Sequence, residues 1–127
     1  MNTTVTGGAG FIGSHLVERL IYDNHSVTVL DNFSTGRYEN LEHLKNKIKI
    51  IECDLNDENN IHDIIKGADW VFHLAALADI VPSIQNPKKY FDANVNATLR
   101  LLQACNDIKI SKFVYASSSS CYGIGVI

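Results

Sequence analysis

The sequence predicts a doubly wound α/β fold, a parallel sheet with helices on both faces. Three observations predict it. Short runs rich in β-branched residues alternate with longer runs of helical periodicity, giving five strands. A glycine-rich turn joins the first strand to the first helix. Polar, Gly-rich or Ser-rich sequence follows each strand, at the carboxyl edge where ligands of such sheets bind. Repeated strand–helix–strand units require right-handed crossovers and hence parallel pairing.

The first strand is predicted at Asn2–Thr6 and is polar for a central strand. The first helix should run from Gly10 to Asp23, with Ile12, Leu16, Val17, Leu20 and Ile21 at helical spacing. Asn24 and His25 turn the chain into strand two, Ser26–Leu30. A polar loop, Asp31–Arg37, precedes a short helix over Glu39–Asn46 and strand three at Lys49–Glu52. A helix over Glu58–Lys66 is closed by Gly67 as C-cap. Strand four is Trp70–Ala75. Pro87 suits a helix start, and a long helix should follow to Asn106, with Val95, Leu99, Leu102 and Ala104 on its apolar side. Strand five is Lys112–Ala116.

A chain of 127 residues suits one domain with one core. The net charge of −3, with no block of like charges, argues against a nucleic-acid surface. No apolar run approaches the length of a membrane span, and no secretory leader precedes Gly7. Cys53, Cys105 and Cys121 are an odd set at wide spacing, which implies neither a disulfide framework nor a metal site and fits small residues packed in or near a core. A cytoplasmic protein is expected.

The turn Thr6-Gly7-Gly8-Ala9-Gly10-Phe11-Ile12-Gly13 carries the first functional signal. Gly7, Gly10 and Gly13 are three apart, between a strand and a helix. A tight turn there needs unusual backbone angles. A pyrophosphate must also approach without a Cβ in its way, onto the free N–H groups and positive dipole of the helix. Asp31 ends strand two, eighteen residues after Gly13. A carboxylate at that point accepts hydrogen bonds from adenosine ribose hydroxyls and repels a 2′-phosphate, which favours NAD over NADP. Arg37 lies close enough in sequence to oppose that preference.

The spacing GxxGxxG resembles the short-chain dehydrogenase/reductase superfamily, and TGGAGFIGSHL looks like its extended branch, the nucleotide-sugar epimerases and dehydratases. The resemblance implies a Rossmann sheet of central order 3-2-1-4-5 with NAD as cofactor. The run Asp31-Asn32-Phe33-Ser34-Thr35-Gly36 resembles the loop around the adenosine in UDP-glucose 4-epimerases, and Asp54-Leu55 resembles the pair that contacts adenine. His73-Leu74-Ala75-Ala76 resembles the family's HxAA pattern, which implies Leu74, Ala75 and Ala76 beside the nicotinamide half. His73 has no partner at metal-ligand spacing, so no metal is expected. Asn94 matches a family asparagine that supports the site. Ala116 to Gly123 resembles SSxxxYG, which implies Ser118 as the catalytic serine, bonding the sugar oxygen as charge develops. Tyr122 is expected to be structural.

Three departures qualify the resemblance. Familiar UDP-glucose 4-epimerases carry a lysine at Ala78, and Asp79-Ile80-Val81-Pro82-Ser83 resembles instead epimerases of N-acetylated or uronic-acid sugars. The polar loop usual after Tyr-Gly is replaced by Gly123-Ile124-Gly125-Val126-Ile127. The family's base is the tyrosine of YxxxK, whereas Tyr22, Tyr38, Tyr90, Tyr115 and Tyr122 are followed four residues on by Ser26, Glu42, Asn94, Ser119 and Val126. The chain is therefore expected to be an NAD-binding domain, incomplete after strand five and lacking a C-terminal substrate region. The expected parent is an epimerase of nucleoside-diphosphate sugars, homodimeric when complete. The alternatives are a 4,6-dehydratase, a non-catalytic dinucleotide-binding module or a gene remnant.

Overall fold

A computed structural model describes residues 1–56 and 61–123. The expected helix start at Glu58 and the closing residues 124–127 lie outside them. Five parallel strands form one sheet: β1 (Asn2–Thr6), β2 (Ser26–Asp31), β3 (Ile48–Glu52), β4 (Trp70–His73) and β5 (Lys112–Tyr115). Their order is β3-β2-β1-β4-β5, as expected. The order reverses between β1 and β4, which opens a crevice at their carboxyl ends. Val5 sits opposite Val29 and Phe72, and Val29 opposite Ile50, so an apolar row crosses the sheet in register.

Alternation along the strands builds a core on each face. Val5, Val27 and Val29 pack with Val17 and Leu20 of helix α1 (Phe11–Tyr22) and with Leu41 and Leu44. Leu30 and Val71 pack on the other face with Ile61 and Ile65 of α2 (Ile61–Ile65) and Ala97, Leu101 and Ala104 of α5 (Ala97–Asp107). Each fully buried aliphatic side chain contributes about 1.5–3 kcal/mol. The polarity of β1 does not weaken it. Thr3, Thr4 and Thr6 are buried, β-branched and suited to a pleated strand, and the Thr3 and Thr6 hydroxyls have partners.

Some elements differ from expectation for physical reasons. Helix α1 begins at Phe11, because Gly10 is its extended N-cap (φ −75°, ψ 175°). Strand β2 runs one residue further, to Asp31, and β3 starts one earlier, at Ile48. The short helix is two 3-10 turns, Tyr38–Asn40 and Glu42–Leu44. Leu41 and Leu44 are buried three residues apart, a spacing that suits three residues per turn. Strand β4 stops at His73: the Leu74 N–H still reaches the Thr6 carbonyl, but the Ala75 N–H turns to the Thr6 hydroxyl. Strand β5 ends at Tyr115, although the Ala116 N–H still reaches the His73 carbonyl.

The segment after β4 holds a helix that was not expected, α3 (Ile80–Gln85). Pro82 lies in its first turn, where a missing N–H costs no hydrogen bond. The expected long helix is interrupted. Pro87 opens α4 (Pro87–Phe91) behind the Asn86 cap, and a π-helical stretch, Asp92–Asn96, separates it from α5. Gly67 takes φ +84° just past α2, as expected of a C-cap. No described helix is long and apolar enough to cross a membrane.

Candidate functional site

The turn between β1 and α1 is built on backbone contact. Gly7 has φ +68°, and its N–H donates to the Leu30 carbonyl at 2.8 Å. A Cβ on Gly7 would lie 2.7 Å from Ala75 N, and one on Gly13 would lie 2.1 Å from Gly7 O. Those two glycines are required by the fold. At Gly10 an added Cβ would meet only Gly7 O, at 3.3 Å, and would otherwise stand in the cavity described below. Helix α1 has no side-chain cap and no acidic residue in its first turn. Its leading N–H groups and dipole therefore stay available to an anion.

Asp31 holds the next part together. Its carboxylate is buried, accepting from Ala9 N at 2.9 Å and from Phe33 N at 2.9 Å. A carboxylate has about four lone-pair positions, so two remain for ribose hydroxyls. Phe33 has φ +52° and stacks on Tyr38 with centroids 3.7 Å apart. The Tyr38 hydroxyl donates to Glu52 at 2.8 Å, a bond that raises its pKa. Asn40 Nδ2 and the Arg37 N–H both donate to the Ala9 carbonyl, which folds the 31–40 loop over the glycine turn. Asn32 Nδ2 donates to Asp54 at 3.1 Å. The Asn56 backbone N–H is the main cause that holds the Asp54 carboxyl below its usual range, with burial opposing and Asn32 assisting.

At the end of β4 the backbone is pinned from both sides. Asn94, on the π-helical stretch, accepts from Leu77 N and donates to Leu77 O, each at 2.8 Å. His73 is buried between Thr6 and Thr98, with its ring nitrogens 2.6 and 2.8 Å from their hydroxyls. Burial pushes its pKa down to about 4, so the ring is neutral near pH 7. Beyond β5, Ser118 caps a 3-10 turn, Ser119–Tyr122, by accepting from Ser120 N at 3.1 Å. Cys121 is exposed rather than packed in a core, and the Ser117 hydroxyl lowers its pKa; Cys105 is buried.

One cavity of about 1130 Å³ joins these parts. The glycine turn contributes Gly7, Gly10, Phe11, Ile12 and Gly13. The end of β2 contributes Asp31, Asn32, Ser34, Thr35 and Gly36, and that of β3 contributes Asp54 and Leu55. Leu74, Ala75 and Ala76 line it beyond β4, and Ala116 beyond β5. Three expected residues do not line it. Phe33 stacks beside it, Asn94 holds Leu77 behind it, and Ser118 stands exposed past Ala116. A helical wall completes the cavity, with Asp92, Ala93, Asn96, Ala97 and Arg100 among its residues, and Arg100 donates to the Asn56 carbonyl. Spacings of three and four marked that wall in the sequence, but its face is polar or small and escapes a search for apolar periodicity. The open Gly10 side, the uncapped α1 and the free Asp31 lone pairs fit a dinucleotide laid across the strand ends.

Residues 3–126 match the model of the NAD dependent epimerase/dehydratase family. The chain belongs to this family. The family is NAD-dependent, which agrees with the cofactor expected from Asp31. Among curated relatives, a UDP-N-acetyl-alpha-D-glucosaminuronate decarboxylase of Bacillus cytotoxicus is 40% identical over 121 residues, covering 95% of this chain and 37% of the relative. A UDP-N-acetylglucosamine 4-epimerase from Methanobrevibacter ruminantium M1, solved with UDP-N-acetylmuramic acid, is 44% identical with a TM-score of 0.89 over 98% of this chain and 40% of that one. A UDP-glucose 4-epimerase of Thermus thermophilus, solved with NAD, is 38% identical with a TM-score of 0.85 over 93% of this chain and 38% of that one. The chain thus spans well under half the length of these family members.

Proposed function

We propose that this chain binds NAD across the carboxyl ends of its sheet and forms the cofactor part of a nucleotide-sugar epimerase. The observation that carries the reading is the single cavity that joins the uncapped α1 N-terminus, the Asp31 carboxylate and the Ala75–Ala76 backbone. Bound there, NAD supplies an acceptor for a hydride from the sugar and returns it. The chain's own residues bind and orient. The first N–H groups of α1 face the pyrophosphate, Asp31 receives the ribose, and Asp54 and Leu55 receive the adenine. Ser118 keeps a hydroxyl proton without an acceptor among the described residues, and directs it to the sugar oxygen where charge develops. The same reading expects a homodimer when the enzyme is complete, and Phe91, Val95 and Leu102 are exposed on the helical wall. The same reading expects a cytoplasmic enzyme.

The substrate class in this reading is a UDP-sugar with an N-acetyl or uronic-acid group. Ala78 lines the cavity and leaves room where a lysine would fill it, and relatives named for such sugars match at 40–44% identity. Calorimetric titration should show NAD bound at least tenfold more tightly than NADP. Equal or tighter NADP binding would overturn the Asp31 assignment and implicate Arg37. A polypeptide limited to these 127 residues has no tyrosine with a lysine four positions later, and general-base catalysis is worth about 10²–10⁴-fold. Incubated with NAD and a panel of UDP- and dTDP-sugars, that polypeptide should yield no epimer by chromatography. Any epimer, or stoichiometric NADH, would sink this reading of its chemistry.

A further inference from the structure

Five polar groups form one directed chain from the end of the sheet to the helical wall. The Ala75 N–H donates to Thr6 Oγ1 at 3.2 Å. Thr6 Oγ1 lies 2.6 Å from His73 Nδ1, and His73 Nε2 lies 2.8 Å from Thr98 Oγ1. Thr98 Oγ1 in turn lies 2.8 Å from the Asn94 carbonyl. The far end sets the direction. A carbonyl only accepts, so the Thr98 proton goes to Asn94 and Thr98 must accept from His73 Nε2–H. A neutral imidazole then presents Nδ1 as an acceptor, so Thr6 donates to it. The Thr6 oxygen keeps a lone pair for Ala75. The Asn94 side chain meanwhile binds both the N–H and the carbonyl of Leu77. Both anchors of the segment Ala75–Leu77 therefore meet at one residue.

We propose that Thr6, His73 and Thr98 are positioning residues that set the backbone of Ala75–Leu77 to receive the nicotinamide half of the dinucleotide. The proposal rests on reading the cavity as an NAD site. The sheet order makes the assignment to that half. With the pyrophosphate at the β1–α1 turn and the ribose at Asp31 on β2, the remaining half must lie on the other side of β1, where β4 ends. Ala75 and Ala76 line the cavity there, and small side chains let a ring approach the backbone they carry. Burial also keeps His73 neutral, as the chain of donors requires.

Calorimetry with NAD and with ADP-ribose, which lacks the nicotinamide, tests the proposal on Thr98→Val and Thr98→Ser. Valine keeps the shape and removes the hydroxyl, whereas serine keeps the hydroxyl. Thr98→Val should bind NAD about fivefold more weakly, the scale of one hydrogen bond, with ADP-ribose within about twofold of wild type. Thr98→Ser should restore NAD binding. Equal losses for both ligands, or unchanged NAD binding, overturns the proposal and leaves a fold-stabilising network. Nitrogen-15 NMR of the unsubstituted protein decides the matter if Thr98→Val does not fold. A proton on Nε2 with Nδ1 bare supports the directed chain, and a proton on Nδ1 overturns it. Failure of the unsubstituted protein to bind either ligand overturns the NAD reading and this proposal with it, an outcome distinct from selective loss.

Discussion

The glycines of the first turn separate into two kinds at the level of single atoms. Gly13 has no room for a Cβ, since Gly7 O would be 2.1 Å away, whereas Gly10 meets that oxygen at 3.3 Å and nothing else. Gly10→Val should therefore cost less stability than Gly13→Val and lose NAD binding by more than about tenfold. Thermal melts and calorimetry check the two halves of that statement, and retained binding would remove the pyrophosphate from the turn. His73 makes a second prediction. Its pKa is lowered from 6.5 to about 4 in the fold. Below pH 6.5 the unfolded chain takes up a proton that the folded chain refuses. The contribution to stability is thus full above pH 6.5, declines as pH falls, and levels off near pH 4. The total is on the order of 3 kcal/mol. Denaturant midpoints measured across that window should fall in the wild type and show a shallower decline in His73→Phe. Both glycines were visible in the sequence by spacing, but which of them serves the fold and which the ligand depends on atoms that only the folded turn brings together. His73 was visible as the head of the HxAA run and as a histidine without metal partners, but its hydroxyl partners were not, because Thr6 and Thr98 lie sixty-seven and twenty-five residues away.

Elements were legible where they repeat a single period. All five strands and helix α1 could be read from β-branched runs and helical spacing, within two residues at each end. Legibility failed between β4 and α5. Helix α3 exposes Ile80, Val81 and Ile84, so its apolar residues do not mark a buried face. The π-helical stretch leaves no trace in spacing, since one widened turn shifts the register without changing composition. That turn carries Asn94, a residue the resemblance singled out although the irregular element that holds it was not legible. Caps were easier. Gly67 closes α2 at φ +84° with nothing within 4 Å of where a Cβ would stand. Gly67→Ala should then cost about 1–2 kcal/mol from backbone conformation alone. NAD affinity should not change, because the residue lies away from the cavity. A neutral effect on the melting temperature would mean that the turn relaxes.

For the whole molecule, a sheet with an edge strand at each end, β3 and β5, is the dominant fact among the described residues. Among the described residues β5 pairs with β4 alone, and Val114 and Tyr115 are exposed. Unpaired strand edges with apolar neighbours recruit other chains. A polypeptide limited to these 127 residues should be marginally stable or should associate, as light scattering will show. A monodisperse monomer melting sharply above ~60 °C, past the usual range of mesophilic domains, would contradict that expectation. Trp70, the single tryptophan, sits at the amino end of β4 with Lys112 Nζ 4.2 Å from its ring centroid and His25 beside it. Three strand residues, roughly 10 Å, separate it from the rim where the cavity opens. The protein therefore carries a built-in optical gauge at the rim where no ligand is expected. Its emission should shift when denaturant opens the sheet and should keep its wavelength when oxidised dinucleotide is added. A loss of binding in any variant can then be told apart from a loss of structure in the same cuvette, without a label.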